Sequence, residues 1–386
     1  MKVLLYSKPF WPMVGGIETY GRLLAQGLAQ EGSCEVTVVT AAQGPSTMPG
    51  AGVHIVRRPG VAELWKIIQR SDVVLLAGPV FVPLALSLLA RKRVIVGHHG
   101  YQACCPNGML LFQPEQSVCP QRFLRGHVRS CLRCNRKTMG PLRSAACVAS
   151  TAIRRWLCHY SVANICVSEH LSLRVRLPRS YVIYHGLPPN DNVAPPVSAA
   201  GSAEKTVFAY VGRIVSEKGL PLLLEAASIL KREGREFEVR IAGDGPDRAK
   251  LERLAQELDL SDRLIVTGFL DTKALRLSLE DVEAVVMPSV WEETAGLAAM
   301  EQMMRGRIVI ASDIGGLSEL LGTSGLKFQP KDVAGLASRL RQVLDNTSFL
   351  TRVAIQAGDK AAQKYRQEQM VKNHLQVLQK AANVVS

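Results

Sequence analysis

The chain has 386 residues, of which 47% are apolar and 21% charged. That suits a globular protein long enough for two cores and excludes a disordered or fibrous chain. The formal net charge is +14, and the excess is local: between Gln121 and Ser180 twelve arginines and lysines stand against Glu169 alone, a balance of +11. Such a stretch is either a solvated face or an attractor of anionic lipid headgroups or polyanionic substrates.

The first apolar run, Val3 to Tyr6, reads as a strand. It is too short for a secretory leader, and Ser7, Lys8 and Pro9 follow at once. Gly15-Gly16 then opens a helix whose Ile17, Tyr20, Leu24 and Leu28 recur at spacings of three and four. A Gly-Gly pair between first strand and first helix lets a backbone approach a ligand and aims N–H groups at it. No third glycine follows to make the dinucleotide fingerprint. Further strands are expected at 36–39, 53–56, 73–76, 94–96, 164–167 and 181–184, separated mostly by helices, which argues for a parallel sheet. Val73 to Ala90 carries no charge over 18 residues. Its Gly78, Pro79 and Pro83 nevertheless favour strand, turn and helix over a membrane span. The strand at Val94 runs into Gly97-His-His-Gly-Tyr101, so a histidine is expected at the ligand-facing end of the sheet.

Nine cysteines without a leader point to a reducing compartment. Five of them crowd into an insertion at about 102–140, where Cys131-Leu-Arg-Cys134 is half of a zinc signature that Cys105 and Cys119 could complete. Free buried cysteines are the competing reading. From Thr151 to Tyr160, Ile153, Trp156, Leu157 and Tyr160 share a helical face. A core helix is the default there, and a membrane-interface contact beside the basic stretch is the second reading.

Residues 188–204, rich in Pro, Ala and polar side chains, read as a linker. Domains are therefore expected at 1–187 and 205–366, with a last helix over 367–386. The second domain again alternates strands (207–211, 239–242, 264–266, 284–287, 308–311) with helices. In the loop Gly212 to Gly219, Arg213 and Lys218 stand where a strand end meets a helix start, as a diphosphate requires. Pro288-Ser-Val-Trp-Glu-Glu-Thr-Ala-Gly-Leu-Ala-Ala-Met-Glu301 sets Glu293 in a loop and Glu301 in the helix that Gly296 opens. Helix amides suit phosphate and carboxylates suit sugar hydroxyls.

Gly212-Arg213 with Glu217-Lys218-Gly219, Ala242-Gly-Asp-Gly-Pro246, Glu293 and Glu301 eight apart, Gly315-Gly316 and Glu319 together resemble the retaining glycosyltransferases of family 4, along essentially the whole chain. The resemblance implies an α/β chain of GT-B architecture: two Rossmann-like domains with parallel sheets facing a central cleft. The activity it implies is hexosyl transfer from a UDP- or GDP-sugar to a hydroxyl acceptor, in cell-envelope polysaccharide or lipid-linked glycan synthesis. It gives Arg213 and Lys218 the donor diphosphate, Glu293 the donor sugar and Glu301 the ribose. Gly296 and Leu297 offer amides, Gly16 lies near the diphosphate, and His99 stands on the acceptor side. No catalytic metal is implied, because the two cations take that role, and no nucleic-acid partner. The expected location is cytoplasmic, at the anionic inner face of the plasma membrane. Departures are Ala295, where the family carries an aromatic residue, Gln302-Met-Met304 where it carries small ones, and His185, where it carries asparagine. Two other classes stay open: a sugar-nucleotide epimerase on the same fold and a non-catalytic nucleotide-sugar binder.

Overall fold

The structure, a computed structural model, describes residues 1–48, 52–188, 205–323 and 325–383. The expected linker at 188–204 lies outside the described residues apart from its first residue. Among the described residues the chain divides into two compact units. Residues 1–115, 119–188 and 365–383 form the first; 116–118 and 205–364 form the second.

The N-terminal chain alternates as expected: β1 (Lys2–Tyr6), α1 (Gly16–Gln30), β2 (Glu35–Thr40), β3 (His54–Arg57), α2 (Val61–Arg70), β4 (Val73–Ala77), α3 (Phe81–Leu89) and β5 (Arg93–His98). Two dipeptide strands come next in sequence, β6 (Leu111–Phe112) and β7 (Ser117–Val118). They are followed by α4 (Val128–Met139), α5 (Pro141–Cys158), β8 (Ala163–Cys166), α6 (Glu169–Val175) and β9 (Ser180–Val182). The first unit's sheet runs β3-β2-β1-β4-β5-β8-β9, with every pairing parallel. A parallel strand covered on both faces is apolar throughout, and β4, Val-Val-Leu-Leu-Ala, is buried at every residue. The charge-free 73–90 segment is thus β4 plus α3, and no described helix is long and apolar enough to cross a membrane.

The second unit holds β10 (Thr206–Val211), α7 (Leu220–Arg232), β11 (Phe237–Ala242), α8 (Arg248–Glu257), β12 (Leu264–Gly268), α9 (Thr272–Ser278), β13 (Ala284–Met287), α10 (Leu297–Met304), β14 (Ile308–Ser312), α11 (Gly315–Leu321), β15 (Leu326–Phe328) and α12 (Val333–Lys364), which kinks at Asn346. Its parallel sheet runs β12-β11-β10-β13-β14-β15, the order of a doubly wound dinucleotide-binding fold. In α7 the apolar stripe Leu220, Leu223, Leu224, Ala227 and Leu230 is buried. Pro221 sits in the first turn, where its missing N–H costs nothing.

The last helix, α13 (Gln367–Asn383), belongs to the first unit. Its Met370, Val371, Val377, Leu378 and Ala381 join the core made by α1 and the sheet. The approach is close because Gly27 of α1 has no side chain: a Cβ there would lie 2.3 Å from Val371. The Tyr20 hydroxyl meets His374 Nε2 at 2.7 Å, while His374 Nδ1 lies 2.8 Å from the Met370 carbonyl. A carbonyl only accepts, so Nδ1 carries the proton, and the tyrosine donates to Nε2.

The face shared by Ile153, Trp156, Leu157 and Tyr160 corrects the core-helix default. Only Leu157 is buried; Ile153, Trp156 and Tyr160 are 45%, 58% and 59% exposed. Burying every apolar residue of that stripe would need a second layer over α5, and Leu157 alone points into the unit.

Candidate donor and acceptor sites

In a doubly wound sheet, ligands gather beyond the carboxyl ends of the strands where the strand order reverses. In the second unit that point is β10, flanked by β11 on one side and β13 on the other. The loops leaving β10 and β13 are therefore neighbours, and they are fastened together. Val290 N–H donates to the Glu217 carbonyl at 3.0 Å, and Gly219 passes so close to Pro288 that a Cβ would lie 2.0 Å from its carbonyl oxygen. This contact carries the Lys218 turn onto the Glu293 loop.

There Lys218 Nζ lies 2.8 Å from Glu293 Oε1, with the two side chains only 16% and 8% exposed. The Ser289 hydroxyl donates to the same carboxylate oxygen. From the other side, Gly316 N–H at the start of α11 donates to the Glu293 carbonyl at 2.6 Å. Glu293 is thus fixed through both backbone and side chain. Tyr210, at the end of β10, donates its hydroxyl to the Arg213 carbonyl at 2.8 Å. Burial first and the Glu293 carboxylate second push its phenol pKa up, while Arg213 works against them. Arg213 itself is exposed at this rim. Gly296, in the left-handed region with φ of 68°, caps α10, of which Leu297 is the first residue. The first amides of a helix have no intrahelical acceptor and lie in its positive field. Glu301, one turn further, is half-buried and paired with Arg305 at 2.8 Å. The second unit therefore brings Lys218 and Glu293 into contact, sets Arg213 in the loop that Lys218 closes and follows Glu293 with the amides of Gly296 and Leu297, while Glu301 faces Arg305 within α10.

Gly16 and His99 belong to the first unit. Gly16 is the first residue of α1, after an extended Gly15. Of the two histidines ending β5, His98 is fully buried and its Nε2 lies 2.9 Å from Asn164 Oδ1. The Asn164 amide donates to the Cys158 and Pro178 carbonyls, so His98 Nε2 must be the donor in that pair. His99 Nδ1 lies 3.1 Å from Nε2 of His185, with the rings stacked at 5.3 Å, and Tyr20 packs 4.3 Å from the His99 ring. Burial holds the whole group neutral. It drives His98 and His374 down to about 4 and His185 to about 3, and lowers His99 well below the usual range, with His185 and His374 adding to the effect on His99. Sequence reasoning missed this cluster. Tyr20 was visible only as a member of an apolar helical stripe, and His185 only as a departure from a pattern.

Cys105, Cys119, Cys131 and Cys134 are all buried and line one cavity of about 10 Å³. Burial first, then Cys105, Cys119 and Cys134, push the Cys131 thiol up to about 12. Among the described residues no three His, Cys, Asp or Glu side chains stand together as metal ligands. Side-chain hydrogen bonds account for two of these thiols: Cys105 Sγ donates to Asn107 Oδ1 at 2.9 Å and Cys134 Sγ points at the Leu111 carbonyl at 3.7 Å.

Comparison with known proteins gives this geometry a setting. The crystal structure of Anabaena HepE in complex with UDP and glucose superposes with a TM-score of 0.73 at 18% identity, covering 98% of this chain and all of that one. A sucrose-phosphate synthase of Thermosynechococcus elongatus matches equally well over 98% of both. The fold is GT-B. Within this GT-B chain, residues 198–361 match the family model described as Glycosyl transferases group 1. The alpha-D-kanosaminyltransferase of Streptomyces kanamyceticus is 36% identical over 167 residues, which span 43% of each chain. The match to that organism's 2-deoxystreptamine glucosyltransferase, 39% identical, spans 36% of each. An uncharacterized glycosyltransferase of Methanocaldococcus jannaschii is 26% identical over 98% of this chain and 97% of its own.

Proposed function

We propose that this protein is a retaining glycosyltransferase of family 4 that moves a hexosyl unit from a nucleotide-diphosphate sugar to a hydroxyl acceptor. Its task is cell-envelope polysaccharide or lipid-linked glycan synthesis on the cytoplasmic side of a membrane. The observation that carries the reading is the Lys218–Glu293 pair, held at the reversal point of the second sheet beside Arg213 and the amides of α10. A cation poised on a fixed carboxylate, next to a helix start, suits a ligand that is anionic at one end and hydroxylated at the other. Lys218 and Arg213 bind the diphosphate and stabilise the charge that grows on it as the glycosidic bond breaks, which is the work a catalytic metal would otherwise do. Glu293 accepts hydrogen bonds from the sugar and Glu301 from the ribose. In the first unit, His99 orients the acceptor hydroxyl.

The group 1 match and the glycosyltransferase relatives support transfer over epimerisation. HepE, with UDP bound, supports a uridine donor ahead of guanosine. The exposed Trp156, Ile153 and Tyr160 within the +11 segment support contact with an anionic bilayer. The test is a thermal-shift panel of UDP-, GDP- and ADP-sugars. One base class should raise the melting temperature by mass action; a flat response to all three would sink the donor assignment.

A further inference from the structure

We propose that Cys105, Cys119, Cys131 and Cys134 form a tetrathiolate site for one zinc ion, which staples the insertion between β5 and α5. The site is independent of the donor reading. The four residues come from three separate places in the chain: the turn after β5, the segment before α4, and α4 itself, where Cys131 and Cys134 are one turn apart on one face. Nine cysteines are distributed over the chain, yet these four, and none of the others, line the same small cavity.

Three further features fit a metal thiolate better than a set of free thiols. The first is donor chemistry. Gln113 N–H and the Asn107 amide both donate to Cys134 Sγ, at 3.4 and 3.5 Å. Such N–H groups aimed at sulfur stabilise the deprotonated ligand and orient it. The second is charge. Zinc with four thiolates carries a net charge of −2, and no carboxylate lines the cavity, whereas Arg122 does, its guanidinium 3.8 Å over the Phe112 ring. That half-buried cation gains a counter-charge within the cavity when the thiols are ionised. The third is architecture. From Gly100 to His127 the chain has only two dipeptide strands as regular structure. An irregular stretch of that length in a compact domain needs a tether, and a structural metal supplies one.

The cavity is too small for a hydrated ion and large enough for a bare one. Among the described residues no three of these side chains already stand together as ligands, so coordination at about 2.3 Å from each sulfur requires the thiols to converge, Cys105 leaving Asn107 Oδ1 and Cys134 leaving the Leu111 carbonyl. Each thiol loses its proton on binding, so loading releases up to four protons to solvent.

The full chain, expressed in zinc-supplemented medium and purified under reducing conditions without chelator, should contain about one equivalent of zinc by mass spectrometry of the metal. Cobalt added to the chelated protein should produce the visible bands of a tetrahedral cobalt tetrathiolate. Cys131→Ser with Cys134→Ser should abolish both signals, and Cys147→Ser, outside the cavity, should leave both unchanged. Should the double variant fail to fold, titration of wild-type protein with a mercurial reagent decides instead: zinc release should track modification of four thiols. Metal-free protein with no cobalt bands overturns the proposal. So does a disulfide between any two of the four in freshly purified protein.

Discussion

Replacing Lys218 with alanine separates what the Lys218–Glu293 pair does for stability from what it does for chemistry. The carboxylate is almost wholly buried and loses its one ion-pair partner among the described residues, keeping the Ser289 hydroxyl. Removing one partner of such a pair costs about 3 kcal/mol. In a unit of this size that lowers the melting temperature by about 6–12 °C. Loss of one preorganised cation at the developing charge should also lower turnover by about 10²–10³-fold. Adding Glu293→Gln removes the stranded charge, so the double variant should regain most of the lost melting temperature and none of the activity. The assay is release of nucleoside diphosphate from the donor, beside calorimetry on the same preparations. Wild-type turnover in Lys218→Ala would refute the assignment. Activity returning together with stability in the double variant would show that Lys218 serves the fold alone.

The histidine cluster predicts an acid-sensitive first unit. His98, His185 and His374 are held neutral in the fold at about 4, 3 and 4, against an unfolded value near 6.5. Their folded values are depressed, so the unfolded chain takes up protons first, and stability present above about pH 6.5 is lost as pH falls toward 4. By pH 5.5 the loss is on the order of 1 kcal/mol per histidine, and a melting temperature unchanged between pH 7.5 and 5.5 would contradict it. His185→Gln breaks the stack that orients His99; turnover at saturating donor should fall about 10–100-fold while the nucleotide-induced thermal shift is retained. Equal loss of both would mean that His185 only supports the fold. Vesicles containing phosphatidylglycerol should sediment the protein at low salt and release it at high salt, and Trp156→Ala should weaken binding; absence of binding at low salt removes the membrane reading.

Both sheets were legible because parallel strands covered on two faces leave uninterrupted apolar runs, as in β4 and β13. The rim of the second unit was legible because its loops need particular residues at particular spacings: glycine where backbones touch, cations before α7, carboxylates around α10. What sequence could not give was the pairing of side chains distant in the chain. Tyr20 and His374 are 354 residues apart and share one hydrogen bond. His99 and His185 leave neighbouring regions of one sheet yet stand 86 residues apart. Trp156 was misjudged because a periodic apolar stripe carries no sign of whether anything covers it. The salt bridge between Lys218 and Glu293 was hidden for another reason: each residue was read by its ligand, and in the free protein they satisfy one another.

The most direct test of the central claim is proton NMR of the products formed from the α-linked sugar nucleotide that gives the largest thermal shift. Transfer to an acceptor, or slowly to water, should release nucleoside diphosphate and yield an α-configured sugar as the first product. A nucleotide sugar recovered with an inverted ring carbon would make the protein an epimerase, a β-configured first product would make it an inverting enzyme, and binding without turnover would make it a binding protein.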